Sequence, residues 1–278
     1  MSYRLLCTDV DGTLLNSQGK ITETVCDAVK TALAAGKKIV LSSGRTWHSL
    51  KFYEETLGLH IPGQYGIGFN GGSVYEILGD GEVKLLHNEL MPIKTAHEIF
   101  TTLPSVITQY NEMHMLAYNN EGYLIAEEAL RDSRLFDEMK RLGARVVSAY
   151  ADEREDVYKI LIHGKHEDLL EVAAYTSVHF AGKCQVMFSA HSLLELIPLG
   201  VDKGRGIEIL AQSLGIPMDE VIAVGDEAND VAMLKAAGLG IAVANAVPSA
   251  IQAADVLLSA SNNENAVSVA IHQYLLQP

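Results

Sequence analysis

The first part of the chain alternates between short apolar runs and amphipathic stretches. The apolar runs, which predict strands, lie at 3–8, 37–42 and 65–69, and the amphipathic stretches, which predict helices, lie at 23–35 and 46–57. Thr22 is suited to cap the first helix and Gly36 to end it. A strand–helix–strand–helix–strand order predicts a parallel sheet with helices on its faces.

The order of elements changes after residue 72. Two strand-like runs at 73–76 and 82–87, separated by a Gly-Asp-Gly turn, predict an antiparallel hairpin. Beyond it, helices are predicted at 92–103, 127–142 and 166–176, and strands as a pair around 106–125, at 157–162 and at 184–188. The charged block 152–156 predicts a solvated loop.

From residue 193 the first pattern returns. Strands are predicted at 193–197, 221–224, 239–243 and 255–258, and helices at 203–214, at 229–236, from Pro248 and up to about 275. The pattern therefore predicts an α/β fold: a discontinuous parallel-sheet domain formed by 1–84 and 191–278, with an α+β domain at 85–190 inserted into it.

The amino-acid composition and the net charge exclude several classes of function. Of 278 residues, 48% are hydrophobic and 20% are charged, so the chain can bury a large core. The net charge of −14 argues against partners such as nucleic acid and anionic membranes, which attract basic surfaces. The three cysteines are in no CxxC pair, and the pattern of apolar residues predicts neither a secretory leader nor a membrane-spanning segment. We therefore expect a reduced, cytoplasmic protein.

Candidate chemistry lies at the predicted carboxyl ends of strands, where open parallel sheets bind ligands. Four segments place polar residues there: Asp9-Val10-Asp11-Gly12-Thr13, Ser42-Ser43-Gly44-Arg45, Lys203 and Gly225-Asp226-Glu227-Ala228-Asn229-Asp230. Taken singly, each has an ordinary structural explanation as a turn, a loop or a surface lysine. Their joint placement favours a common site.

The residue types suggest what such a site would bind. In an extended stretch, residues i and i+2 face the same side, so we expect the carboxylates of Asp9 and Asp11 to converge. Two close carboxylates require a cation or a shared proton, and Mg²⁺ prefers oxygen ligands of this kind. Asp226 can complete the set. Lys203 at a helix start, and the hydroxyl of Ser43, favour an anion such as phosphate.

These motifs together resemble the haloacid dehalogenase superfamily. The matching strings are DVDGT at 9–13, SSGR at 42–45, NGG at 70–72, Lys203, and GDEANDVAML at 225–234. The nearest resemblance is to Cof-type phosphatases that carry a large α/β (C2-type) cap. It implies a Rossmann-like core with an inserted α+β cap domain.

The resemblance also implies catalytic roles. Asp9 would be the nucleophile that attacks phosphorus and forms an aspartyl phosphate. Asp11 would be the general acid that protonates the leaving alcohol and then the base that activates water. Mg²⁺ would be held by Asp9, the backbone carbonyl of Asp11 and Asp226. Asp230 and Asn229 would lie in the outer shell of the metal.

The same resemblance implies a phosphate site. Ser43, Gly44, Lys203 and Asn229 would bind the phosphoryl oxygens. Further candidates around that group are Arg45, Asn70 and Gly71. One departure from the family pattern is Ala266, which stands where glycine is usual, and it leaves the contacts of the loop before the last helix open.

Other strings favour structural roles. The GxGxxG match at 66–71 is followed by a strand-like run and not by a helix, so it does not predict a dinucleotide site. Trp47, Tyr110 and Tyr118 can line a substrate site, but packing is the preferred interpretation.

The leading hypothesis is a Mg²⁺-dependent phosphomonoesterase whose partner is a small phosphorylated metabolite, for which the resemblance favours a sugar phosphate. Two alternatives stay open: a phosphomutase, and a non-catalytic phosphate sensor. The sequence identifies neither the substrate nor the oligomeric state.

Overall fold

The computed structural model describes residues 2–79, 81–127 and 144–277. The chain divides into two compact units, residues 1–88 with 201–278 and residues 89–200. In the described ranges, none of the helices has the length and apolarity needed to cross a membrane.

The first segment follows the predicted order closely. Its elements are β1 (Leu5–Thr8), α1 (Glu23–Ala34), β2 (Lys38–Ser42), α2 (Trp47–Thr56), β3 (Tyr65–Gly68), β4 (Ser73–Gly79) and β5 (Glu82–Asn88). The hydroxyl of Thr22 accepts from the N–H of Val25, as the predicted cap of α1 requires.

The middle segment forms the second unit. Its elements are α3 (Ile93–Ile107), β6 (His114–Asn119), β7 (Leu124–Glu127), β8 (Arg145–Val147), β9 (Val157–His163), α4 (His166–His179), β10 (Gln185–Ala190) and β11 (Leu193–Ile197). Helix α3 passes through Pro104 beyond its predicted end at 103. Strand β8 was not predicted, and the helix predicted at 127–142 falls almost wholly outside the described residues.

The last segment returns to the first unit. Its elements are α5 (Lys203–Leu214), β12 (Val221–Gly225), α6 (Val231–Ala236), β13 (Leu239–Ala242), α7 (Pro248–Ala253), β14 (Val256–Leu257) and α8 (Ala266–Ala270). A 3₁₀ turn, Ala228–Asp230, precedes α6, and a π turn, Ile271–Leu275, follows α8.

The sheet of the first unit has eight strands in the order β14-β13-β12-β1-β2-β3-β4-β5. The first six strands in this order, from β14 to β3, are parallel to one another. Strands β4 and β5 add an antiparallel hairpin at one edge. The central strands are fully buried, which explains their continuous apolar runs. Thr8 of β1 is in register with Val224 of β12 and Leu41 of β2, so these three strands end at one level. The predicted α/β class with a parallel sheet is confirmed.

The sheet of the second unit has six strands in the order β10-β11-β9-β6-β7-β8. All pairs are antiparallel except β7 and β8. Buried side chains of α3 and α4, among them Phe100 and Leu169, form one core with Ile160, Leu194 and other residues of the sheet.

Two predicted boundaries need correction. Strand β11 was assigned to the parallel-sheet domain, but it pairs with β9 and β10 in the second unit, so the chain returns at 201 and not at 191. Strand β5 pairs with β4 along its length, which moves the first boundary from 84 to 88. Short apolar strands fit either sheet, so the local pattern does not identify their pairing partners.

The charged block at 152–156 is not wholly solvated as predicted. Glu153 is buried and accepts a hydrogen bond from Arg145, while Asp156 accepts from the N–H of Ile93 at the start of α3. Part of the block therefore serves local structure.

Candidate active site

The neighbouring ends of β1 and β12 bring the first and last motifs together. Asp9 follows β1, and its N–H donates to the carbonyl of Val224 at 2.9 Å. The turn that follows needs Gly12, whose φ is +83° and where a Cβ would lie 2.3 Å from Oδ2 of Asp226. This close approach carries Thr13 to Asp226, and the Thr13 hydroxyl donates to Oδ1 of Asp226 at 2.6 Å.

Three buried carboxylates converge at this edge of the sheet. Asp9, Asp226 and Asp230 each offer an oxygen, and these oxygens lie within 4.8 Å of one another. Their exposed fractions are 6%, 5% and 0%, so water screens their mutual repulsion little. The cluster joins the ends of two strands separated by more than 200 residues of sequence.

Lys203 is the cation of this cluster. It opens α5, is fully buried, and its Nζ lies 2.5 Å from Oδ1 of Asp9 and 2.5 Å from Oδ1 of Asp230. Burial alone would lower the pKa of Lys203, but the attraction of Asp230 and Asp9 outweighs it and raises that pKa. The ammonium group is therefore charged.

Asp230 has both oxygens engaged. Oδ1 accepts from Lys203, and Oδ2 accepts from the backbone N–H groups of Asp226 and Glu227, each at 2.9 Å. Gly225 permits this arrangement, because a Cβ there would lie 2.6 Å from the side chain of Asp230. Asp230 is thereby suited to orient Lys203 and the loop of Asp226.

Asp9 and Asp226 each retain one uncommitted oxygen. Asp9 uses Oδ1 for Lys203, and Asp226 uses Oδ1 for Thr13; within the described chain, neither Oδ2 accepts a hydrogen bond. Burial raises the pKa of Asp226 to about 7 and raises that of Asp9 well above its usual range, although Lys203 opposes the latter shift. Ionised, the three carboxylates exceed the single ammonium by two charges.

This donor set fits a hard divalent cation. Carboxylate oxygens are the ligands that Mg²⁺ prefers, and a divalent ion would balance the excess negative charge. Asp9 and Asp226 offer the uncommitted oxygens for it. The acidic triad confirms that the chain has residues able to bind a metal ion.

Asp11 forms an ion pair with Arg45. Its carboxylate accepts two hydrogen bonds from Arg45, 2.7 Å from Nε to Oδ2 and 2.8 Å from Nη2 to Oδ1, and it is not part of the acidic cluster. Strand β1 ends at Thr8 and the chain from Asp11 onwards is a turn, so the side-chain alternation of a strand does not extend to Asp11. The convergence of the Asp9 and Asp11 carboxylates therefore stays a prediction. Alternation of side chains holds only in extended backbone.

Three of the predicted phosphate residues, Ser43, Gly44 and Asn229, lie on loops that follow strands, and the fourth, Lys203, opens α5. The Ser43 carbonyl accepts from the N–H of Asn70, and the Oδ1 of Asn70 accepts from the side-chain amide of Asn229 at 3.0 Å. A Cβ on Gly44 would lie 3.1 Å from the side chain of Asn70. Asn70, buried and with φ of +56°, thus connects the loops after β2, β3 and β12.

Two further residues, Thr13 and Asn245, contribute hydrogen bonds, and the sequence motifs assign a role to neither. Thr13 is the last residue of the DVDGT motif, and its place beside Gly12 is the signal in the sequence for its hydrogen bond to Asp226. Asn245 donates to the carbonyl of Gly12 at 2.8 Å and accepts from the N–H of Asn262. Asn262 in turn donates to the carbonyl of Leu15. The loop before α8 therefore supports the turn after β1, although Ala266 replaces the usual glycine.

Trp47, Tyr110 and Tyr118, for which packing is the preferred interpretation, each contact other side chains. Trp47 is 9% exposed and packs edge-on against Phe69. The hydroxyl of Tyr110 donates to Glu171, and the ammonium of Lys159 lies 5.4 Å from the ring centre of Tyr118. The glycines at 66–71 lead into β4, with no helix following, as expected.

Known proteins are similar to this chain in sequence and in fold. The family model for haloacid dehalogenase-like hydrolases matches residues 6–271. The protein YxeH of Bacillus subtilis (strain 168) is 31% identical over 99% of this chain and 99% of its own. The HMP-PP phosphatase of Serratia proteamaculans (strain 568) is 30% identical, and the match covers 88% of this chain and 85% of that protein.

A solved structure extends the similarity to the whole fold. The crystal structure of a haloacid dehalogenase-like hydrolase from Bacteroides thetaiotaomicron covers 98% of this chain and 99% of its own, with a TM-score of 0.82 and 28% identity. The resemblance seen in the motifs is confirmed along nearly the full length. With its parallel sheet, its buried acidic cluster and these matches, the chain belongs to the family of haloacid dehalogenase-like hydrolases.

Proposed function

We propose that this protein is a Mg²⁺-dependent phosphomonoesterase that acts on a small phosphorylated metabolite through an aspartyl-phosphate intermediate. The supporting observation is the buried cluster at the end of β1, in which Asp9 is held by Lys203 beside Asp226 and Asp230. A nucleophilic carboxylate needs a fixed orientation and a neighbouring positive charge to meet a phosphate dianion.

Asp9 is the proposed nucleophile. Lys203 fixes its Oδ1, so the carboxylate is oriented before a substrate arrives. Attack on phosphorus forms a bond between an Asp9 oxygen and phosphorus and breaks the ester bond to the leaving oxygen. Lys203 also offsets the negative charge of the phosphoryl group, together with the proposed ligands Ser43, Gly44 and Asn229.

The proposed metal site consists of Asp9, Asp226 and the backbone carbonyl of Asp11, with Asp230 orienting its neighbours. Bound Mg²⁺ would supply positive charge that stabilises the phosphoryl oxygens in the transition state. Thr13 contributes by holding one oxygen of Asp226, which leaves the other for the metal.

Asp11 is the proposed general acid and base. Its carboxyl would give a proton to the leaving oxygen as the ester bond breaks, and its carboxylate would take a proton from the water that hydrolyses the aspartyl phosphate. Its side chain is about half exposed, with a fraction of 56%, so it is accessible to a leaving group.

The substrate is proposed to be a phosphate ester of a small metabolite, with sugar phosphates as the first class to examine. The similarity to a protein named HMP-PP phosphatase supports the broader proposal that the substrate is a small phosphorylated compound. A phosphate-release screen over sugar phosphates and vitamin-pathway phosphates, with Mg²⁺ present, identifies the class.

The nucleophile is tested by Asp9→Asn with p-nitrophenyl phosphate. We expect turnover to be abolished, because an amide cannot form the aspartyl phosphate, while the fluorescence of Trp47 shows an intact fold. Asp27→Asn, at an exposed position of α1, is the control and should retain full activity. Undiminished activity of the Asp9→Asn protein would contradict the assignment.

The release of phosphate separates hydrolysis from the two alternatives. A phosphomutase would need a bisphosphate and would move the phosphoryl group to a second hydroxyl without releasing phosphate. A sensor would bind phosphorylated compounds and turn over none of them. We expect stoichiometric phosphate and alcohol from the best substrate of the screen.

A further inference from the structure

Arg45 donates hydrogen bonds to both carboxylate oxygens of Asp11. Its Nε and Nη2 donate to Oδ2 and Oδ1 at 2.7 and 2.8 Å, a bidentate pairing in which the planar guanidinium fixes the carboxylate in position and in rotation. The family resemblance implies a place for Arg45 among the groups around the phosphoryl oxygens. Its side chain is instead directed at the proposed acid and base.

The backbone of Arg45 is itself held firmly. Its N–H donates to the hydroxyl oxygen of Ser43 at 3.2 Å, and its carbonyl accepts from the N–H of Phe69 at 2.9 Å. The next residue, Thr46, caps α2 through the N–H of Ser49. Arg45 therefore projects from a junction of two loops and a helix start.

The guanidinium also has two lateral contacts. Nη1 donates to the hydroxyl of Ser49 at 3.3 Å, and the guanidinium carbon lies 5.3 Å from the ring centre of Tyr53. Ser49 and Tyr53 are one turn apart on α2. The helix thus presents a hydroxyl and an aromatic face that hold the guanidinium, and the guanidinium holds Asp11.

We propose that Arg45 is a positioning residue for Asp11: it keeps one carboxylate oxygen while the other is released to the leaving group. The inference rests on the proposed phosphatase function, since it assigns a role within that reaction. The hydroxyl oxygen of a protonated carboxyl is a poor acceptor, so we expect the Asp11 oxygen that serves the leaving group to lose its hydrogen bond from Arg45. Retaining one of the two hydrogen bonds keeps the carboxylate in place during proton transfer.

Asp11 loses one proton and regains one proton in each turnover. When the ester bond breaks, its electron pair stays on the leaving oxygen, which takes the proton of the Asp11 carboxyl. Water then attacks the aspartyl phosphate, the Asp9–phosphorus bond breaks, and Asp11 takes the proton of that water. Arg45 exchanges no proton and changes only hydrogen-bond partners.

The test is a double-mutant cycle with Arg45→Met and Asp11→Asn, measured as kcat and KM with p-nitrophenyl phosphate and the best sugar phosphate. In the unmodified background, we expect Arg45→Met to lower kcat roughly 10- to 100-fold, the scale of a misplaced catalytic group. In the Asp11→Asn background, the same change should alter kcat less than about threefold, because residues that act as a unit are not additive. KM and inhibition by inorganic phosphate should stay within about threefold in both backgrounds.

Two further variants make the result interpretable. Ser49→Ala removes one lateral contact and should lower kcat by a smaller factor, again only when Asp11 is present. Arg4→Met is the matched control, because Arg4 forms an exposed ion pair with Glu220 at the other end of the sheet. Its kcat should not change. The fluorescence of Trp47 and the thermal midpoint show whether each variant is folded.

Each outcome decides the role. Equal losses in both backgrounds, or a rise in KM and in the inhibition constant of phosphate, would overturn the positioning role in favour of direct contact with substrate. An unfolded Arg45→Met protein leaves the decision to Ser49→Ala, whose loss must vanish in the Asp11→Asn background. Absence of turnover by the unmodified protein would overturn the proposed function and this role with it.

Discussion

The hydroxyl of Thr13 connects the first motif to the last one. It donates to Oδ1 of Asp226 at 2.6 Å, and Thr13 itself is 1% exposed. The hydrogen bond favours the ionised form of Asp226 against the effect of burial, which raises the pKa of that carboxyl to about 7. It also decides which oxygen of Asp226 faces the proposed metal.

We therefore expect Thr13→Val to weaken Mg²⁺ activation by roughly 10- to 100-fold, the usual effect of removing a partner that orients a metal ligand. The measurement is the Mg²⁺ concentration that gives half-maximal activity. Thr13→Ser, which retains the hydroxyl, is the control and should resemble the unmodified protein. Equal Mg²⁺ dependence of the valine variant and the unmodified protein would show that Thr13 has no such role.

Asp11 illustrates a limit of sequence reasoning at this scale. The motif identified the residue, but its direction depends on where the strand stops, and one residue of extended backbone more or less turns a side chain to the other face. Its partner Arg45 is 34 positions away. Only the folded loops show that the two side chains meet.

At the scale of elements, a buried polar network joins α2 to β4. The hydroxyl of Tyr75 donates to Oε1 of Glu54 at 2.5 Å, and Nδ1 of His60 lies 2.9 Å from Oε2. Glu54 is 1% exposed, and burial raises its pKa above the usual range, while the hydrogen bonds of Tyr75 and His60 oppose this shift. The network holds in place the helix whose residues contact Arg45.

This network predicts a pH-dependent stability for Tyr75→Phe. The pKa of Glu54 is higher in the folded state, so its contribution to stability is complete below its unfolded pKa and is lost as the pH rises through its folded pKa. Without the tyrosine hydroxyl, the folded pKa rises further and that loss grows. We expect Tyr75→Phe to cost about 1–3 kcal/mol, with a larger cost at pH 8 than at pH 5.

The measurement is denaturant unfolding followed by the fluorescence of Trp47, which is the one tryptophan of the chain and belongs to α2. Tyr65→Phe is the matched control, because the hydroxyl of Tyr65 makes no hydrogen bond to the described residues. A cost that is equal at both pH values would be evidence that Glu54 does not ionise over this range.

For the whole molecule, the net charge of −14 raises the question of how an anionic substrate binds. Charges on the surface are screened beyond about 8 Å at physiological salt, so the local charge of the site decides. There, three carboxylates surround one ammonium group. Part of the acidic excess is thus the proposed metal site itself.

Removing the metal should therefore weaken phosphate binding as well as catalysis. We expect the affinity for inorganic phosphate, measured by calorimetry, to fall at least tenfold when EDTA replaces Mg²⁺, because the carboxylates then repel the anion. Asp226→Asn should make the affinities with and without Mg²⁺ similar. Phosphate binding that is unchanged in EDTA would argue against the proposed role of the metal.

The sequence by itself determined the α/β class, almost all of the described strands and helices, and the four motifs of the site. These depend on local backbone preferences, apolar periodicity and turn residues, which are properties of neighbouring positions. The acidic residues of the cluster could be named because parallel strands end at one edge of a sheet.

Only the tertiary structure decided which side chains meet. The assignment of β11 to the second sheet, the pairing of Asp11 with Arg45, and the contacts of Thr13 and Asn245 all join distant parts of the chain. Such contacts are selected by the packing of whole elements and by the burial of charge. Neither the packing of whole elements nor the burial of charge is a property of a local stretch of sequence. The periodic pattern of apolar residues therefore does not predict these contacts.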